Sequence, residues 1–403
     1  MNDESFITAN AKVVRSINRA MILNIIRTKQ PIPRTEIARI TGLNKSTVSS
    51  IVNDLLQDEF IFEQQRNDQN IGRSPVNLFL RKNRYLAGAI KIDISLTTLA
   101  IVDIDGSIID STVFQTEAED PGRYIQRCVQ ELKHLCLIKE IRQLEGLGVS
   151  VAGIVDPRGL TVSYAPNLGW ENFNIGKVIK ESWPDLKILV IGNDAKSSAL
   201  AELWFGSYGI NLSSFVFVSV GSGIGSGIVV DNRLIDGESQ ASGEFGHITI
   251  IEGGELCSCG NNGCWERYAS DNATIKRYIE KQQEENKETG RGEVSISAIT
   301  ELANEDDQIA IDVLNETGYY LGLGITNIIR SLDPQAIILS GKVTDAWQII
   351  YPEISKVVKE RAFFGRERSI LILRSSLGEQ SGLLGAATMV IKEIFDSYRI
   401  TAE

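Results

Sequence analysis

Three cysteines are concentrated in one short stretch of this chain. Of the five cysteines in 403 residues, three lie within Cys257-Ser-Cys-Gly-Asn-Asn-Gly-Cys264, and one of only two histidines, His247, lies ten residues before them. One imidazole and three thiolates form the donor set of a closed, tetrahedral zinc site of the structural type. We therefore predict that a structural Zn²⁺ ion ties this loop together. The predicted ligands are His247, Cys257, Cys259 and Cys264.

The same cysteines could instead form a disulfide or remain free thiols. A disulfide is disfavoured because the sequence lacks the basic and apolar start of a secretory signal, which predicts a cytoplasmic chain. Free thiols would not explain the spacing. Gly260 and Gly263 permit the tight turn that directs three sulfur atoms to one point. Cys128 and Cys136 lie on a predicted helix and are interpreted as buried apolar side chains.

The net charge of −11 is divided unevenly along the chain. An acidic protein is by itself a poor partner for nucleic acid. Residues 1–84, however, carry 13 basic and 8 acidic residues, a balance of +5, whereas the remainder has a balance of −16. This asymmetry predicts a basic binding module joined to an acidic body. The sequence has no apolar run of about 18 residues, which argues against a membrane-spanning segment.

The basic segment has the pattern of a helix-turn-helix. A first apolar stripe ends before Gln30-Pro31, and a second short helix starts near Arg34 and closes at Thr41-Gly42. The third helix begins at Lys45 and has apolar residues at i, i+3, i+4 and i+7, so that one face is buried. The stripe of the first helix is Val14, Ile17, Met21, Ile22, Ile25 and Ile26. The stripe of the third helix is Val48, Ile51, Val52 and Leu55.

The outer face of the third helix carries short polar side chains and one cation, which suit phosphates and base edges in a major groove. Two short strands around Ile71-Gly72-Arg73-Ser74-Pro75 predict a wing, whose tip guanidinium can enter a minor groove. The alternative is a small helical domain for protein contacts, because serine and threonine are also common helix caps. We favour a winged helix-turn-helix that binds double-stranded DNA. Its predicted contacts are Arg34, Lys45, Ser46, Thr47, Ser49, Ser50, Asn53 and Arg73.

From Tyr85 onward, strand-like and helix-like segments alternate, which predicts an α/β body with mainly parallel sheets. Glycine is frequent and clusters at the turns between strands and helices, where α/β folds bind ligands. The predicted strands are Leu86–Ile92, Leu99–Val102, Leu147–Val151, Ile188–Ile191, Phe215–Val220, Ile224–Val230 and Ala336–Leu339. The predicted helices cover about 122–140, 196–205, 272–282, 308–330, 347–361 and 382–397.

Carboxylates flank the predicted zinc loop. Glu244 precedes His247 and Glu266 follows the last cysteine, so a metal-tied loop would bring the two carboxylates together. Two fixed carboxylates accept hydrogen bonds from several hydroxyls, as in the recognition of a sugar. The alternative is that both are solvated surface acids.

Asn193 and Asp194 follow a predicted strand and enter a helix. An aspartate there can take a proton from a hydroxyl nucleophile or simply hold it. Either residue can equally serve as a helix N-cap.

A glycine-rich turn, Gly221-Ser-Gly-Ile-Gly-Ser-Gly227, separates two predicted strands. Backbone N–H groups in such a turn can bind phosphate, but β-hairpins use glycine turns as well. The candidate phosphate-loop glycines are Gly221, Gly223 and Gly225.

These motifs together resemble a known family. Gly243-Glu244-x-Gly246-His247, followed by Cys257-x-Cys259-Gly260-x-x-Gly263-Cys264-x-Glu266, resembles the signature of the ROK family (repressors, open reading frames, sugar kinases). Leu43-Asn44-Lys45-Ser46-Thr47-Val48-Ser49 and Gly72-Arg73-Ser74-Pro75 look like the xylose repressors of that family. The resemblance covers essentially the whole chain. It implies a two-lobed, ribonuclease-H-like body of the actin/hexokinase type that binds a sugar in its cleft.

The resemblance also implies domain boundaries and residue roles. Residues 1–84 would form the DNA-binding domain and 85–193 the first lobe, completed by a C-terminal helix at about 382–403. Residues 194–381 would form the second lobe with the zinc loop. In the family's kinases the aspartate at Asp194 is the catalytic base, and His247 would bind zinc while its other edge faces the sugar. The implied sugar contacts are Gly153, Asn167, Asn193, Asp194, Glu244, His247 and Glu266.

The ATP half of the body departs from the family's kinases. Asp93-Ile94-Ser95-Leu96-Thr97 replaces Asp-x-Gly-Gly-Thr, so Leu96 would stand where a phosphate should lie. Leu339-Ser340-Gly341-Lys342 likewise replaces paired glycines. These departures favour a non-catalytic sugar sensor. The alternatives are a sugar kinase with an added DNA-binding domain, and a scaffold in which zinc holds only an oligomer interface.

We therefore expect a cytoplasmic, sugar-responsive repressor that binds operator DNA as a homodimer or homotetramer, with no membrane partner. A small sugar would release it, and xylose is favoured by the resemblance.

Overall fold

The computed structural model describes residues 11–65, 76–208, 212–285, 294–361 and 370–397. Its N-terminal part confirms the winged helix-turn-helix fold. The third helix starts after Asn44, whose side-chain oxygen accepts a hydrogen bond from the Thr47 N–H at 2.8 Å. The elements are α1 (Ala11–Lys29), β1 (Ile32–Pro33), α2 (Arg34–Thr41), α3 (Lys45–Gln57), β2 (Ile61–Gln65) and β3 (Val76–Leu80).

Packing in this domain follows the predicted stripe of α3, all four residues of which are buried. The stripe of α1 is shorter than predicted. Ile22 and Ile26 are buried, whereas Val14 and Ile17 are 44% and 50% exposed. Periodicity identifies an apolar face, but neighbouring elements decide how much of that face is covered.

The first half of the body contains a five-stranded sheet, a three-stranded sheet and the helices that cover them. The order in the larger sheet is β11-β7-β4-β5-β6, and that in the smaller is β10-β9-β8. The elements are β4 (Leu86–Ile92), β5 (Leu96–Asp103), β6 (Ile108–Gln115), α4 (Pro121–Ile138), β7 (Gly146–Val151), β8 (Ile154–Asp156), β9 (Thr161–Ala165), β10 (Trp170–Phe173), α5 (Ile175–Ser182), β11 (Ile188–Asn193) and α6 (Asp194–Phe205).

The second half also contains a five-stranded sheet, in which the strand order is β14-β13-β12-β15-β16. The strands are β12 (Phe215–Val220), β13 (Ile224–Val230), β14 (Arg233–Leu234), β15 (Ala336–Ser340) and β16 (Leu371–Arg374). The helices are α7 (Glu266–Ala269), α8 (Asp271–Glu284), α9 (Ile296–Asn304), α10 (Gln308–Leu332) and α11 (Trp347–Arg361). Helix α12 (Ser381–Ser397) follows them in the chain but packs on the sheet of the first half.

The prediction of mainly parallel sheets is wrong. In each five-stranded sheet two neighbouring pairs are parallel and two are antiparallel. Strands β4, β5 and β6 follow one another through short turns, and a short turn can only return a strand antiparallel to the one before it. The α/β class itself is confirmed.

Two helices lie between the five-stranded sheets. Helix α12 packs on β4, β7 and β11, while α6 packs both on α12 and on β13. Glycine permits the close approach of β13 to α6. A Cβ at Gly225 would lie 2.8 Å from the Cβ of Ala195, and one at Gly227 would lie 2.5 Å from the Cβ of Ala199. Helix α6 therefore contacts both halves of the body.

One hydrophobic core runs from the DNA-binding domain into the body. Its buried members include Ile26 of α1, Tyr85 at the junction, and Ile391 and Phe395 of α12. The boundaries near residues 84, 193 and 381 stay predictions, because a continuous core does not mark where one unit ends. Among the described helices, none is both long enough and apolar enough to cross a membrane.

Candidate functional site

The four predicted metal ligands come together in the structure. The Nδ1 atom of His247 lies 3.6 Å from the Sγ atom of Cys257, and the sulfur atoms of Cys259 and Cys264 are 3.6 Å apart. All four donor atoms lie within 4.8 Å of one another. A tetrahedral ion with metal–sulfur bonds of about 2.3 Å holds its ligand atoms roughly 3.8 Å apart. The donor set and its spacing therefore suit a tetrahedral metal ion.

The backbone of the loop holds the sulfur atoms in place. Gly260 and Gly263 have φ angles of 88° and 76°, in the left-handed region that glycine adopts without strain. Gly263 also has no room for a side chain, since a Cβ there would lie 1.7 Å from the carbonyl oxygen of Ile251. The N–H of Cys257 donates to the carbonyl of Asn261 at 2.8 Å. The predicted glycine turn is thus present.

Glu266 connects the cluster of four predicted metal ligands to the rest of the candidate site. It is the first residue of α7, and its side chain is 16% exposed. The Oε1 atom accepts a hydrogen bond from the Cys257 thiol at 3.0 Å and lies 3.7 Å from Nδ1 of His247. The Oε2 atom faces Gly223, where a Cβ would lie 2.8 Å away. Two of the predicted sugar contacts, His247 and Glu266, are therefore neighbours.

Glu244 belongs to the same group. The His247 N–H donates to its carbonyl oxygen at 3.1 Å. Desolvation raises the pKa of the Glu244 carboxyl, and the negative charge of Glu266 adds to this effect, whereas His247 and Lys196 act in the opposite direction. The charge of Glu266 thus contributes to the raised pKa of Glu244, as expected of two nearby carboxyl groups.

Lys196 is a buried cation beside Glu244 that sequence reasoning missed. Its ammonium group donates to the carbonyl oxygens of Asp236 and Gln240 at 3.0 and 2.8 Å. Burial lowers the pKa of Lys196, and the charges of Asp236 and Glu244 partly counteract the shift. A lysine within a helix gives no sequence signal, because only the contact between α6 and the loop around 236–240 buries it.

A second group of predicted residues lies at the start of α6. Asn193 is the N-cap, since its Oδ1 atom accepts from the Lys196 N–H at 3.0 Å. Its Nδ2 atom donates to the carbonyl oxygen of Gly153 at 3.0 Å. Asp194 follows as the first residue of the helix. The structure therefore places Gly153, Asn193 and Asp194 together.

The carboxyl group of Asp194 has an unusual environment. Burial and the nearby Asp93 raise its pKa to about 6, while Lys91 acts in the opposite direction. The Nζ atom of Lys91 lies 3.5 Å from Oδ2 of Asp93. A carboxylate with such a pKa is able to accept a proton from a hydroxyl group near neutral pH.

Asn167 and the glycine-rich turn are less closely tied to these groups. Asn167 is exposed in a single 3₁₀ turn between β9 and β10. Among the described residues, its side chain makes no hydrogen bond to either group. Gly221 and Gly223 form the hairpin turn between the antiparallel strands β12 and β13, with the Gly221 N–H donating to the Gly223 carbonyl at 2.9 Å. Gly225 lies inside β13 against α6.

Helix α3 presents a polar face opposite its buried stripe. Lys45, Ser46 and Asn53 are exposed, and Thr47 and Ser49 are half-buried. This face offers hydroxyl, amide and ammonium groups to a ligand, the types that bind DNA phosphates and base edges.

Two other predicted DNA contacts already have partners within the domain. The Oγ atom of Ser50 accepts a hydrogen bond from Arg15 at 2.9 Å. Arg34 pairs with Glu63 on β2 at 2.8 Å. In both contacts the two partners are far apart in the sequence, so the pairs were not predicted. Arg73 lies outside the described residues, so its place at the tip of a wing stays a prediction.

Comparison with known proteins identifies the family of the body. The sequence profile of the ROK family matches residues 87–393. The chain belongs to the ROK family. A second profile, for a winged helix-turn-helix that binds DNA, matches residues 15–61.

The similarity to ROK proteins extends over the whole chain. The xylose repressor of Bacillus spizizenii is 32% identical over 392 residues, which are 96% of this chain and 98% of that protein. The crystal structure of a ROK family transcriptional regulator, a homologue of the Escherichia coli MLC protein, has a TM-score of 0.81 at 24% identity and covers 96% of this chain and 98% of its own.

A ROK family enzyme has the fold of the body alone. The glucokinase of Streptomyces griseus, solved in complex with glucose and AMPPNP, has a TM-score of 0.67 at 28% identity. It covers 75% of this chain and 98% of its own. The two-lobed body of the hexokinase type is thereby confirmed.

Proposed function

We propose that this ROK protein is a transcriptional repressor that binds operator DNA and is released from it by a small sugar. The observation that carries the proposal is the joining, in one chain, of a winged helix-turn-helix whose third helix has an exposed polar face to a ROK body with clustered carboxylates. The match to a xylose repressor spans both parts, over 96% of the chain. Xylose is therefore the favoured sugar.

The proposed DNA contacts lie on α3, at the start of α2 and, for Arg73, at the predicted tip of a wing. Lys45 stands at the first turn of α3, where an ammonium group can reach a backbone phosphate. The short polar side chains along the same face are suited to base edges. Arg34 and Ser50 would have to exchange their present partners for DNA. The full proposed set is Arg34, Lys45, Ser46, Thr47, Ser49, Ser50, Asn53 and Arg73.

The proposed sugar site combines the two groups around α6. Glu244 and Glu266 supply acceptors for sugar hydroxyls, and Asn193 and Asp194 supply polar groups from the start of α6. Gly153 lets the backbone come close to the ligand because it has no side chain. The full proposed set is Gly153, Asn167, Asn193, Asp194, Glu244, His247 and Glu266.

The proposed metal is a structural Zn²⁺ ion held by His247, Cys257, Cys259 and Cys264. Thiolate and imidazole ligands in tetrahedral spacing favour zinc over harder cations. When bound, the ion fixes the loop and leaves no coordination position for a reactant. Nδ1 of His247 faces the cluster, so the opposite edge of the ring is available to a ligand.

A repressor of this kind would act as a homodimer or homotetramer. Two copies of α3 would then meet two operator half-sites separated by about 34 Å or a multiple of that distance. We further propose a cytoplasmic location, where DNA and metabolised sugars are both present.

The second candidate is an ATP-dependent sugar kinase with an added DNA-binding domain. One observation favours it: Asp194 remains at the start of α6 with a pKa raised to about 6. Phosphoryl transfer, however, depends on positioning and neutralising ATP. Ser95 and Leu96 replace the two glycines that would approach its phosphates. We therefore place the kinase second.

Operator binding with and without sugar tests the proposal. A duplex selected by the protein from a randomised pool serves as operator, and its dissociation constant is measured with D-xylose, D-glucose, N-acetylglucosamine, D-allose and D-fructose. We expect one of these sugars to weaken operator binding. The operator must then weaken the affinity for that sugar by the same factor. If none of the sugars changes either operator affinity or the thermal midpoint, the proposal is wrong.

A coupled assay with ATP, Mg²⁺ and the same sugars separates the two candidates. We expect no sustained turnover. Turnover that Asp194→Asn abolishes would instead establish the kinase.

A further inference from the structure

Helix α6 extends from the candidate sugar site to the DNA-binding domain. Its N-terminus carries Asn193 and Asp194 of the candidate sugar site, and its last residues are Trp204 and Phe205. At a rise of about 1.5 Å per residue, the helix spans roughly 18 Å. A single rigid element thus begins at one site and ends against the DNA-binding domain.

Arg27 of α1 meets the end of this helix. Its guanidinium donates a hydrogen bond to the carbonyl oxygen of Trp204 and lies 4.3 Å from the centroid of the Trp204 ring. Carbonyl groups in the last turn of a helix lack partners within the helix, and a cation is favourable there. Burial lowers the pKa of Arg27 only to about 10, so the group stays charged at neutral pH.

The position of this guanidinium is fixed from both sides. Asn24, one turn earlier in α1, accepts from Nε and from a terminal nitrogen of Arg27 at 2.9 and 2.8 Å. The Trp204 ring packs edge-on against Phe395 of α12, with centroids 5.3 Å apart and planes at 76°. Arg27 therefore contacts α6 directly, through a Trp204 side chain that in turn packs on α12.

The same end of α6 is tied to the second half of the body. Glu202, fully buried, accepts hydrogen bonds from the Ser375 hydroxyl at 3.1 Å and from the N–H and hydroxyl of Ser376 at 3.1 and 2.9 Å. These serines follow β16 and precede α12. The last two turns of α6 are therefore hydrogen-bonded both to the segment that follows β16 and to α1.

We propose that α6 transmits the sugar-bound state to the DNA-binding domain, with Arg27 as the residue that positions α1 on the end of α6. The inference rests on the proposed function, because it needs a sugar that changes operator affinity. It adds the route and one side chain on which that change depends. Arg27 is a positioning residue, since it touches neither the sugar site nor the recognition face of α3.

The test compares Arg27→Met, Arg27→Lys and Asn24→Ala with the wild-type chain. The measured quantity is the ratio of operator dissociation constants with and without saturating D-xylose. We expect Arg27→Met to reduce this ratio by about fivefold or more. D-xylose affinity without DNA should change by less than about twofold, because the sugar site is intact. Arg27→Lys keeps the charge and should restore part of the ratio.

Asn24→Ala tests the same contact if Arg27→Met fails to fold. Asn24 is exposed, so the substitution leaves the core unchanged while removing the anchor of the guanidinium. We expect a smaller reduction of the same ratio. Arg127→Met is the control, because Arg127 on α4 likewise makes a side-chain hydrogen bond, to Glu117, and lies over an aromatic ring, that of Phe114, without contacting the described residues of α1 or α6. It should leave the ratio unchanged.

The outcomes separate the two proposals. If neither D-xylose nor any other sugar of the panel changes the operator affinity of the wild-type chain, the proposed function itself is contradicted. A wild-type chain that responds, with folded Arg27→Met and Asn24→Ala variants that respond equally, contradicts only the route through α6. Loss of D-xylose affinity in Arg27→Met without DNA would also overturn the route, since it would mean that the substitution damages the site.

Discussion

The thiol of Cys257 donates a hydrogen bond to Oε1 of Glu266 at 3.0 Å. One of these residues is a proposed metal ligand and the other a proposed sugar contact. A cysteine binds a metal as a thiolate, so metal binding at Cys257 would release the thiol proton, remove this hydrogen bond and leave Oε1 of Glu266 open to another donor. In the proposed site, metal binding and the availability of the Glu266 carboxylate to a sugar are therefore linked.

The first prediction concerns that carboxylate. Glu266→Gln keeps the shape of the side chain and removes its charge. Hydrogen bonds to a charged group contribute about 1.5–3 kcal/mol, so we expect sugar affinity to fall by roughly tenfold to hundredfold. Titration calorimetry with D-xylose measures the loss. Metal content should stay at the wild-type level, and Glu301→Gln, on the exposed side of α9, should change neither quantity. Full sugar affinity in Glu266→Gln would remove this residue from the site.

The second prediction concerns the metal. Cys264→Ser removes one of four ligands, so we expect loss of bound zinc and a lower thermal midpoint. A destabilisation of about 2–3 kcal/mol lowers the midpoint by roughly 5–10 °C. Differential scanning calorimetry and elemental analysis check both effects. A chelator should lower the midpoint of the wild-type chain towards that of the variant and leave the variant unaffected. A chelator effect of equal size on both proteins would contradict the assignment.

The third prediction concerns DNA. Lys45→Ala should weaken operator binding, because the proposed phosphate contact is lost. The slope of log affinity against log salt concentration should decrease in magnitude by about 1. Fluorescence anisotropy over a range of salt concentrations measures both. Lys356→Ala, at an exposed position of α11, is the control. An unchanged slope in Lys45→Ala would show that this ammonium group does not contact a phosphate.

The fourth prediction concerns pH. The pKa of Asp194 is about 6 in the folded chain, against an ordinary value of 3.8. Between about pH 4 and pH 6 the folded state therefore holds a proton that the unfolded state has released. This group lowers the free energy of unfolding as pH rises through that window. Asp194→Asn abolishes the effect and should stabilise the chain at pH 7 by about 1–3 kcal/mol, but not at pH 4.

Urea unfolding at about pH 4 and about pH 7 checks this prediction. Asp312→Asn, exposed on α10, serves as the control. A stabilisation of Asp194→Asn that is equal at both pH values would contradict the raised pKa.

The fifth prediction concerns the glycines near α6. Gly227→Ala places a methyl group 2.5 Å from the Cβ of Ala199, so overpacking should cost about 1–3 kcal/mol. Gly221 has no atom within 4 Å of the corresponding position, and Gly221→Ala should change stability by less than about 0.5 kcal/mol. Equal stability of the two variants in urea would show that β13 does not press on α6.

Local patterns in the sequence determined several parts of this protein. The spacing of three cysteines and a histidine identified the cluster of four candidate metal ligands, and the i, i+3, i+4, i+7 pattern identified the buried face of α3. Asn193 at a strand–helix junction indicated an N-cap, although not uniquely. In each of these cases residues close in sequence are also close in space. Strand β6 and the short helices α5 and α9 were not predicted.

Only the tertiary structure decided the contacts between distant segments. It buried Lys196, left Val14 exposed and made half of the strand pairings in the two five-stranded sheets antiparallel. It also placed Arg27 on Trp204, 177 positions later in the chain. Such contacts depend on how whole elements pack, and packing brings together residues whose own neighbours carry no sign of the partner. The sequence by itself thus determined which modules are present and indicated which ligands to propose for them, whereas the tertiary structure decided how the modules are connected.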